Sequence, residues 1–263
     1  MIISLHGKIN FKGIKMFEIF KNKLEKNLDK IINNHEKKFF IFGLPKAGKS
    51  TVVSSLVRYI INDKEINFRR DPIKNKEGVS VFREWNERYS EKKFPLQTAK
   101  NEYSKLHIEY QHKGSEILER ILMYEIAGED VIKMDPIHEN HTSFPVELKK
   151  FLFQSDGIII MASSQQVRSD EEEVLQDFLE YLIRKKINIP ICFILTKYDL
   201  VKDSYKNHVE ASHAIYENVI NLLSEYENSE VLSFSIGLVD GQEIIKDESK
   251  QYCSNIFNWI EEV

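Results

Sequence analysis

Eight consecutive residues, Gly43-Leu44-Pro45-Lys46-Ala47-Gly48-Lys49-Ser50, carry the most explicit chemistry in this chain. They follow the pattern G-x-x-x-x-G-K-[ST], the signature of a phosphate-binding loop. The glycines let the backbone curl, so that the N–H groups of Lys46, Ala47, Gly48, Lys49, Ser50 and Thr51 turn inward around phosphate oxygens. An apolar run at 39–42 leads in and a helical pattern at 50–61 leads out. The helix N-terminus therefore adds a dipole that favours negative charge at the same place. In such a frame Lys49 reaches the terminal phosphates and the Ser50 hydroxyl ligates magnesium. Pro45 restricts φ and removes one N–H donor beside the terminal phosphate, narrowing the room there. This chemistry selects a nucleotide phosphate and says nothing about the base.

The loop has to be held by a sheet. Short apolar runs at 39–42, 121–126, 156–161, 191–195 and 231–234 read as buried strands, and several end beside one of only ten glycines. Residues 105–110 alternate polar and apolar and precede the run at 117–126 after a Gly114-containing connection, as in a hairpin. Helical spacing recurs at 50–61, 171–184, 205–226 and 249–260. Strands alternating with helices predict an α/β three-layer sandwich: six strands, mostly parallel, with 105–110 as one antiparallel edge strand. An N-terminal segment, 1–36, precedes a domain at 37–263. Two stretches of that domain, 62–97 and 129–149, break the rhythm and read as long irregular insertions of the kind that form lids or switches.

Downstream motifs address the base, and here the chain resembles the Ras-like P-loop GTPase superfamily. Thr196-Lys197-Tyr198-Asp199 follows the run at 191–195 and is similar to the guanine motif [NT]-K-x-D. The Asp199 carboxylate can accept both edge N–H groups of guanine, for which adenine has no matching pair, while the Lys197 stem lies across the ring. Thr196 stands where Asn is commoner, so weaker bracing between loops is expected. By the same resemblance Ser235, in Ser233-Phe234-Ser235-Ile236-Gly237, supports the Asp199 loop, and the Ile236 N–H faces the guanine carbonyl. An ordinary Ser/Gly turn is the plain alternative.

The resemblance also assigns the reaction. Thr98, alone between Thr51 and Thr142, stands where the family carries a switch threonine that ligates magnesium and touches the γ-phosphate. Tyr124-Glu125-Ile126-Ala127-Gly128-Glu129-Asp130 resembles the D-x-x-G motif, with Glu125 in place of the metal-holding Asp and Gly128 as the γ-phosphate sensor. Glu129 follows where many relatives have a water-orienting Gln. The A-G-E-D run, with Trp85 and Phe94-Pro95-Leu96-Gln97-Thr98, is similar to bacterial and archaeal double-GTPase-like proteins. The implied catalytic set is Lys49, Thr98, Gly128 and Glu129, and the implied metal set is Ser50, Thr98 and Glu125. Either Glu129 polarises water itself, or intrinsic hydrolysis is very slow. An arginine finger in cis from Arg69, Arg70, Arg83 or Arg88, or from a partner, would add about 10³–10⁵ in rate. As isolated residues those arginines read as surface charges.

Composition narrows the setting. Charged residues make up 30% and the net charge is −4, so no global basic field points to nucleic acid. Cys192 and Cys253 are the only cysteines, which suits a reducing cytosol rather than a disulfide scaffold. No apolar run approaches the roughly 20 residues of a membrane span, and a cytoplasmic location is expected. Residues 16–35 carry Phe17, Phe20, Leu24, Leu28 and Ile31 on one helical face. That helix either packs on the domain, binds a partner or touches a membrane peripherally, and its mixed-charge polar face favours the first. His138 and His141 lack cysteine support for zinc and read as surface groups. GTP and GDP with Mg2+ are the implied ligands, and a protein effector or activator is the implied partner; the oligomeric state is not encoded in any pattern found.

Overall fold

The protein, seen in a computed structural model, is described over residues 36–69, 76–95, 103–126, 146–166, 169–241 and 243–263. The strands are β1 (Glu36–Phe42), β2 (Ile66–Arg69), β3 (Tyr103–His112), β4 (Glu119–Ile126), β5 (Gly157–Ser163), β6 (Ile191–Thr196) and β7 (Ser229–Phe234), followed by β8 (Gly237–Asp240) and β9 (Glu243–Asp247). The helices are α1 (Lys49–Asn62), α2 (Lys76–Ser90), α3 (Val146–Phe153), α4 (Glu171–Arg184), α5 (His208–Ile215), α6 (Glu217–Leu223) and α7 (Ser249–Glu262).

Seven strands form one sheet in the order β2-β3-β4-β1-β5-β6-β7. β3 pairs antiparallel with both β2 and β4, and β4-β1-β5-β6-β7 are parallel. The α/β sandwich expected from the sequence is thus present, with one strand more than the six expected. The antiparallel strand lies second from the edge, because β2 covers its outer side. β2 and α2 both come from the stretch at 62–97 that reads as irregular. Their apolar residues are sparse but well spaced: Ile66 in β2, then Phe82, Trp85 and Tyr89 on one face of α2, all buried.

Side-chain alternation along β1 divides the interior into two layers. Phe39 and Ile41 point to one side, where they meet Val53, Leu56 and Ile60 of α1 and Ile256, Phe257 and Ile260 of α7. Phe40 and Phe42 point to the other, against Leu152 of α3 and Phe178 and Leu182 of α4. Phe42 and Phe178 stack with centroids 3.8 Å apart. β5 is buried at all seven positions, as a parallel strand covered on both faces must be. Fully burying each such aromatic or aliphatic side chain contributes roughly 1.5–3 kcal/mol, so β1 and β5 form a stiff floor beneath the loops at their C-terminal ends.

Two further departures from the sequence pattern have clear causes. The helical pattern at 205–226 is broken into α5 and α6 at Tyr216, which adopts φ −133°, ψ 52°. Its ring is completely buried against Phe193 and its hydroxyl donates to the Ser163 carbonyl at 2.7 Å, so burial overrides helical continuity. β8 and β9 form a separate two-stranded ribbon. The Asp240-Gly241 dipeptide between them is a turn signal.

Candidate functional site

β1 ends at Phe42 and the loop at 43–48 carries the chain to α1. The loop needs its glycines. Gly48 sits at φ +85°, and a Cβ on Gly43 would lie 2.4 Å from the Met161 carbonyl oxygen of β5. Lys46 also takes the left-handed region, at φ 65°. No acidic residue lies in the first turn of α1, so nothing there competes for an anion at its N-terminus. The Lys49 ammonium is almost fully buried and donates to the carbonyls of Gly43 at 2.7 Å and Leu44 at 3.0 Å. Burial pulls its pKa down to about 8, opposed by the carboxylates of Glu125 and Glu171.

Parallel pairing of β1 with β4 sets Glu125 opposite Ile41, close to the start of the loop. The Ser50 hydroxyl donates to Glu125 Oε1 at 2.8 Å, and Glu125 is buried. A hydroxyl and a carboxylate oxygen are thereby brought together beside the phosphate loop. That is the donor chemistry a hard divalent cation takes, so these two residues fit Mg2+.

The second wall comes from the ends of β6 and β7. Thr196 is buried, and its hydroxyl lies 2.7 Å from the Ala47 carbonyl and 3.1 Å from that of Ala162. The hydroxyl, with a single proton to share, spans from this loop to the phosphate loop. Lys197 takes the left-handed region at φ 54°, and its carbonyl accepts from the Ser164 hydroxyl at 2.8 Å. Burial lowers the Lys197 pKa, the Glu171 carboxylate opposes this, and Lys46 adds to it. Lys46, Lys49 and Lys197 thus crowd positive charge around one mouth. Asp199 lies in a short 3₁₀ turn, Tyr198–Leu200. Its Oδ1 accepts from the Ser235 hydroxyl at 2.6 Å, while Ser235 Oγ accepts the Gly237 N–H at 3.0 Å. Ser235 and Ile236 are both buried, and the Ile236 carbonyl accepts the Glu248 N–H.

Of the residues singled out from sequence, Gly43, Lys46, Ala47, Gly48, Lys49, Ser50, Thr51, Glu125, Thr196, Lys197, Asp199, Ser235 and Ile236 lie in these adjoining loops and element ends. Thr98, Gly128 and Glu129 lie outside the described residues, as do Arg70, His138, His141 and the helical pattern at 16–35. Arg69 ends β2, Arg83 is exposed on α2, and the Arg88 side chain donates to the Phe94 carbonyl of its own segment. One residue escapes sequence reasoning. The run Glu171-Glu172-Glu173 reads as charge on a helix N-terminus, yet Glu171 is 1% exposed and turned inward beneath the site. A further signal for it was the pair Ser163-Ser164 at the end of β5, which supplies polar groups for a buried carboxylate to meet.

The sequence profile of the Double-GTPase 2 family matches residues 40–248. The chain belongs to this family. No curated protein matches it. The matched range runs from within β1 to the residue before α7, so it includes the phosphate loop, Glu125, the Thr196–Asp199 segment and Ser235. Membership in the Double-GTPase 2 family implies GTP binding. The geometry accords with that: a cationic mouth for phosphates lies at one end of a Thr196 link, and a fixed carboxylate, Asp199, at the other. Among the described residues no helix is long and apolar enough to cross a membrane.

Proposed function

We propose that this Double-GTPase 2 protein is a cytoplasmic molecular switch that binds GTP and GDP with Mg2+ and hydrolyses GTP slowly to GDP and phosphate. The observation that carries the reading is the 2.8 Å contact of Ser50 with Glu125, beside Lys49 and across the Thr196 link from Asp199. Lys49 would exchange its carbonyl partners for β- and γ-phosphate oxygens, an exchange of neutral acceptors for charged ones that favours the ligand. The N–H groups of the loop would hold the remaining oxygens. Asp199, held by Ser235, would accept the guanine edge, with the Lys197 stem against the ring. Ser50 would hold Mg2+ directly and Glu125 through water, and the ion would supply charge neutralisation between the phosphates. Thr98 and Gly128 would sense the γ-phosphate and Glu129 would orient water, by resemblance to the family's motifs. A protein effector or activator would read the switch segments, and residues 16–35 are a candidate for partner or peripheral membrane contact.

A second reading is a scaffold that holds GTP without turnover. It is favoured by Glu125 and Glu129, which stand where related enzymes have Asp and Gln. One experiment separates the two. Purified protein is loaded with radiolabelled GTP, excess nucleotide is removed, and bound nucleotide is identified over hours by anion exchange. Conversion to GDP with Mg2+ supports the switch; intact GTP throughout supports the scaffold; failure to load GTP overturns both.

A further inference from the structure

Ser164 follows the last residue of β5, and the β5–β6 register sets that last residue, Ser163, opposite Thr196. Where strand pairing stops, Ser164 carries the attachment on into the neighbouring loop. Its N–H donates to the Thr196 carbonyl at 3.0 Å and its hydroxyl to the Lys197 carbonyl at 2.8 Å. The first bond extends the ladder and needs only backbone. The second needs a side-chain donor, and it reaches a residue held at φ 54°, ψ 35°. A side-chain-bearing residue adopts that left-handed region at a cost, and keeps it where the surroundings fix it. Ser164 is buried, so its hydroxyl makes this bond away from bulk water.

The Lys197 carbonyl has a second donor. The Leu200 N–H reaches it at 3.1 Å and closes the turn Tyr198–Leu200 that carries Asp199. A carbonyl oxygen has two lone pairs, so this one atom closes the turn and also ties it to β5. Asp199 is then held from two directions: through the Lys197 carbonyl behind it, and by the Ser235 hydroxyl on its carboxylate. Ser164 in turn projects from a fixed strand end. The Gln166 N–H donates back to the Ser163 carbonyl at 3.0 Å, and the Tyr216 hydroxyl donates to the same carbonyl. The Ser163 N–H donates to Glu171 Oε1 at 3.3 Å.

We propose that Ser164 is a positioning residue of the nucleotide site: its hydroxyl, acting through the Lys197 carbonyl, fixes the turn that presents Asp199 to the base. This rests on the reading that Asp199 takes the guanine edge. Both Ser164 bonds go to the backbone of the base-side loop, so losing the hydroxyl is felt at the base end of the site and not at the phosphate end.

Titration of the full chain with GDP and with inorganic pyrophosphate, each with Mg2+, tests this. Ser164→Ala removes the hydroxyl and keeps the N–H bond to Thr196. Its GDP affinity is expected to fall about tenfold, the scale of one hydrogen bond whose buried acceptor is left short of a donor. Its pyrophosphate affinity, which depends on the phosphate loop, stays at the wild-type value. Unchanged GDP affinity in Ser164→Ala overturns the proposal, as does a parallel loss of both affinities, which means a merely structural role. If Ser164→Ala does not fold, Ser164→Cys, similar in shape but only a weak donor, is read in the same way. Wild-type protein that binds pyrophosphate but neither GDP nor GTP overturns the guanine reading itself, and this proposal with it.

Discussion

Glu125 is one methylene longer than the aspartate of related motifs, and the structure puts that length to use. From the end of β4 it reaches the Ser50 hydroxyl. Glu125→Gln keeps size and the ability to accept that hydroxyl but removes the charge a divalent cation requires. It is expected to lose on the order of 10- to 100-fold of the Mg2+-dependent gain in nucleotide affinity, read as the ratio of GDP affinities with Mg2+ and with chelator. At this scale the phosphate loop was legible because its geometry is encoded in eight contiguous residues. Asp199 and Ser235 were legible by motif, and their 2.6 Å contact accords with the supporting role expected of Ser235. Glu171 was not, because three successive glutamates at a helix start have a sufficient surface explanation. Which of them turns inward is decided by Ser163 and Tyr216, the latter 45 residues further along the chain.

At the scale of elements, the stretch at 62–97 separates what sequence patterns carry from what packing decides. Its polar composition hides one strand and one helix, which bury Ile66, Phe82, Trp85 and Tyr89. α2 is anchored to α1 by Tyr89, whose hydroxyl lies 2.9 Å from Ser54 Oγ and 2.8 Å from Ser55 Oγ in a buried position. Arg58 of α1 covers the Tyr89 ring at 4.9 Å and also pairs with Asp247 of β9. Tyr89→Phe leaves two buried serine hydroxyls short of a partner, so a loss of about 1–2 kcal/mol in unfolding free energy is expected, measured by urea denaturation. An unchanged midpoint and slope would mean that α2 is not held in this way. The ribbon of β8 and β9 continues the same assembly: the Ile244 N–H donates to the Lys92 carbonyl at 2.7 Å, just past the end of α2. Only the Asp240-Gly241 turn announced that ribbon in the sequence, and nothing there said where it would dock.

For the whole molecule, the sheet order places β1 at the centre, with α1 leading away to the β2 side and β5 opening the other. Ligands of open α/β sheets bind at the C-terminal ends of strands at such a point, and this is where Lys49, Glu125 and Asp199 gather. A ligand that bridges the phosphate loop and the Asp199 loop ties together the ends of β1, β4, β6 and β7, so it should stabilise the folded chain as a unit. GDP with Mg2+ at a hundredfold excess over its dissociation constant adds ~2.7 kcal/mol. That corresponds to a rise of several degrees in Tm, while ADP at the same concentration leaves Tm unmoved. Equal shifts with both nucleotides would mean that the phosphates alone are recognised. The α/β class was readable because alternating apolar runs and helical spacing are local signals. The sheet's order and its seventh strand were not, since they depend on pairings between distant segments.

The most direct test of guanine recognition is the base preference of Asp199→Asn, measured as the affinities for GDP and xanthosine diphosphate beside those of the wild type. The carboxylate accepts two donors from the guanine edge, whereas an amide presents a donor and an acceptor, matching xanthine. Asp199→Asn is expected to lose guanine affinity and gain xanthine affinity, with the Ser235 contact still available to the side-chain oxygen. Unchanged GDP affinity in Asp199→Asn would contradict it.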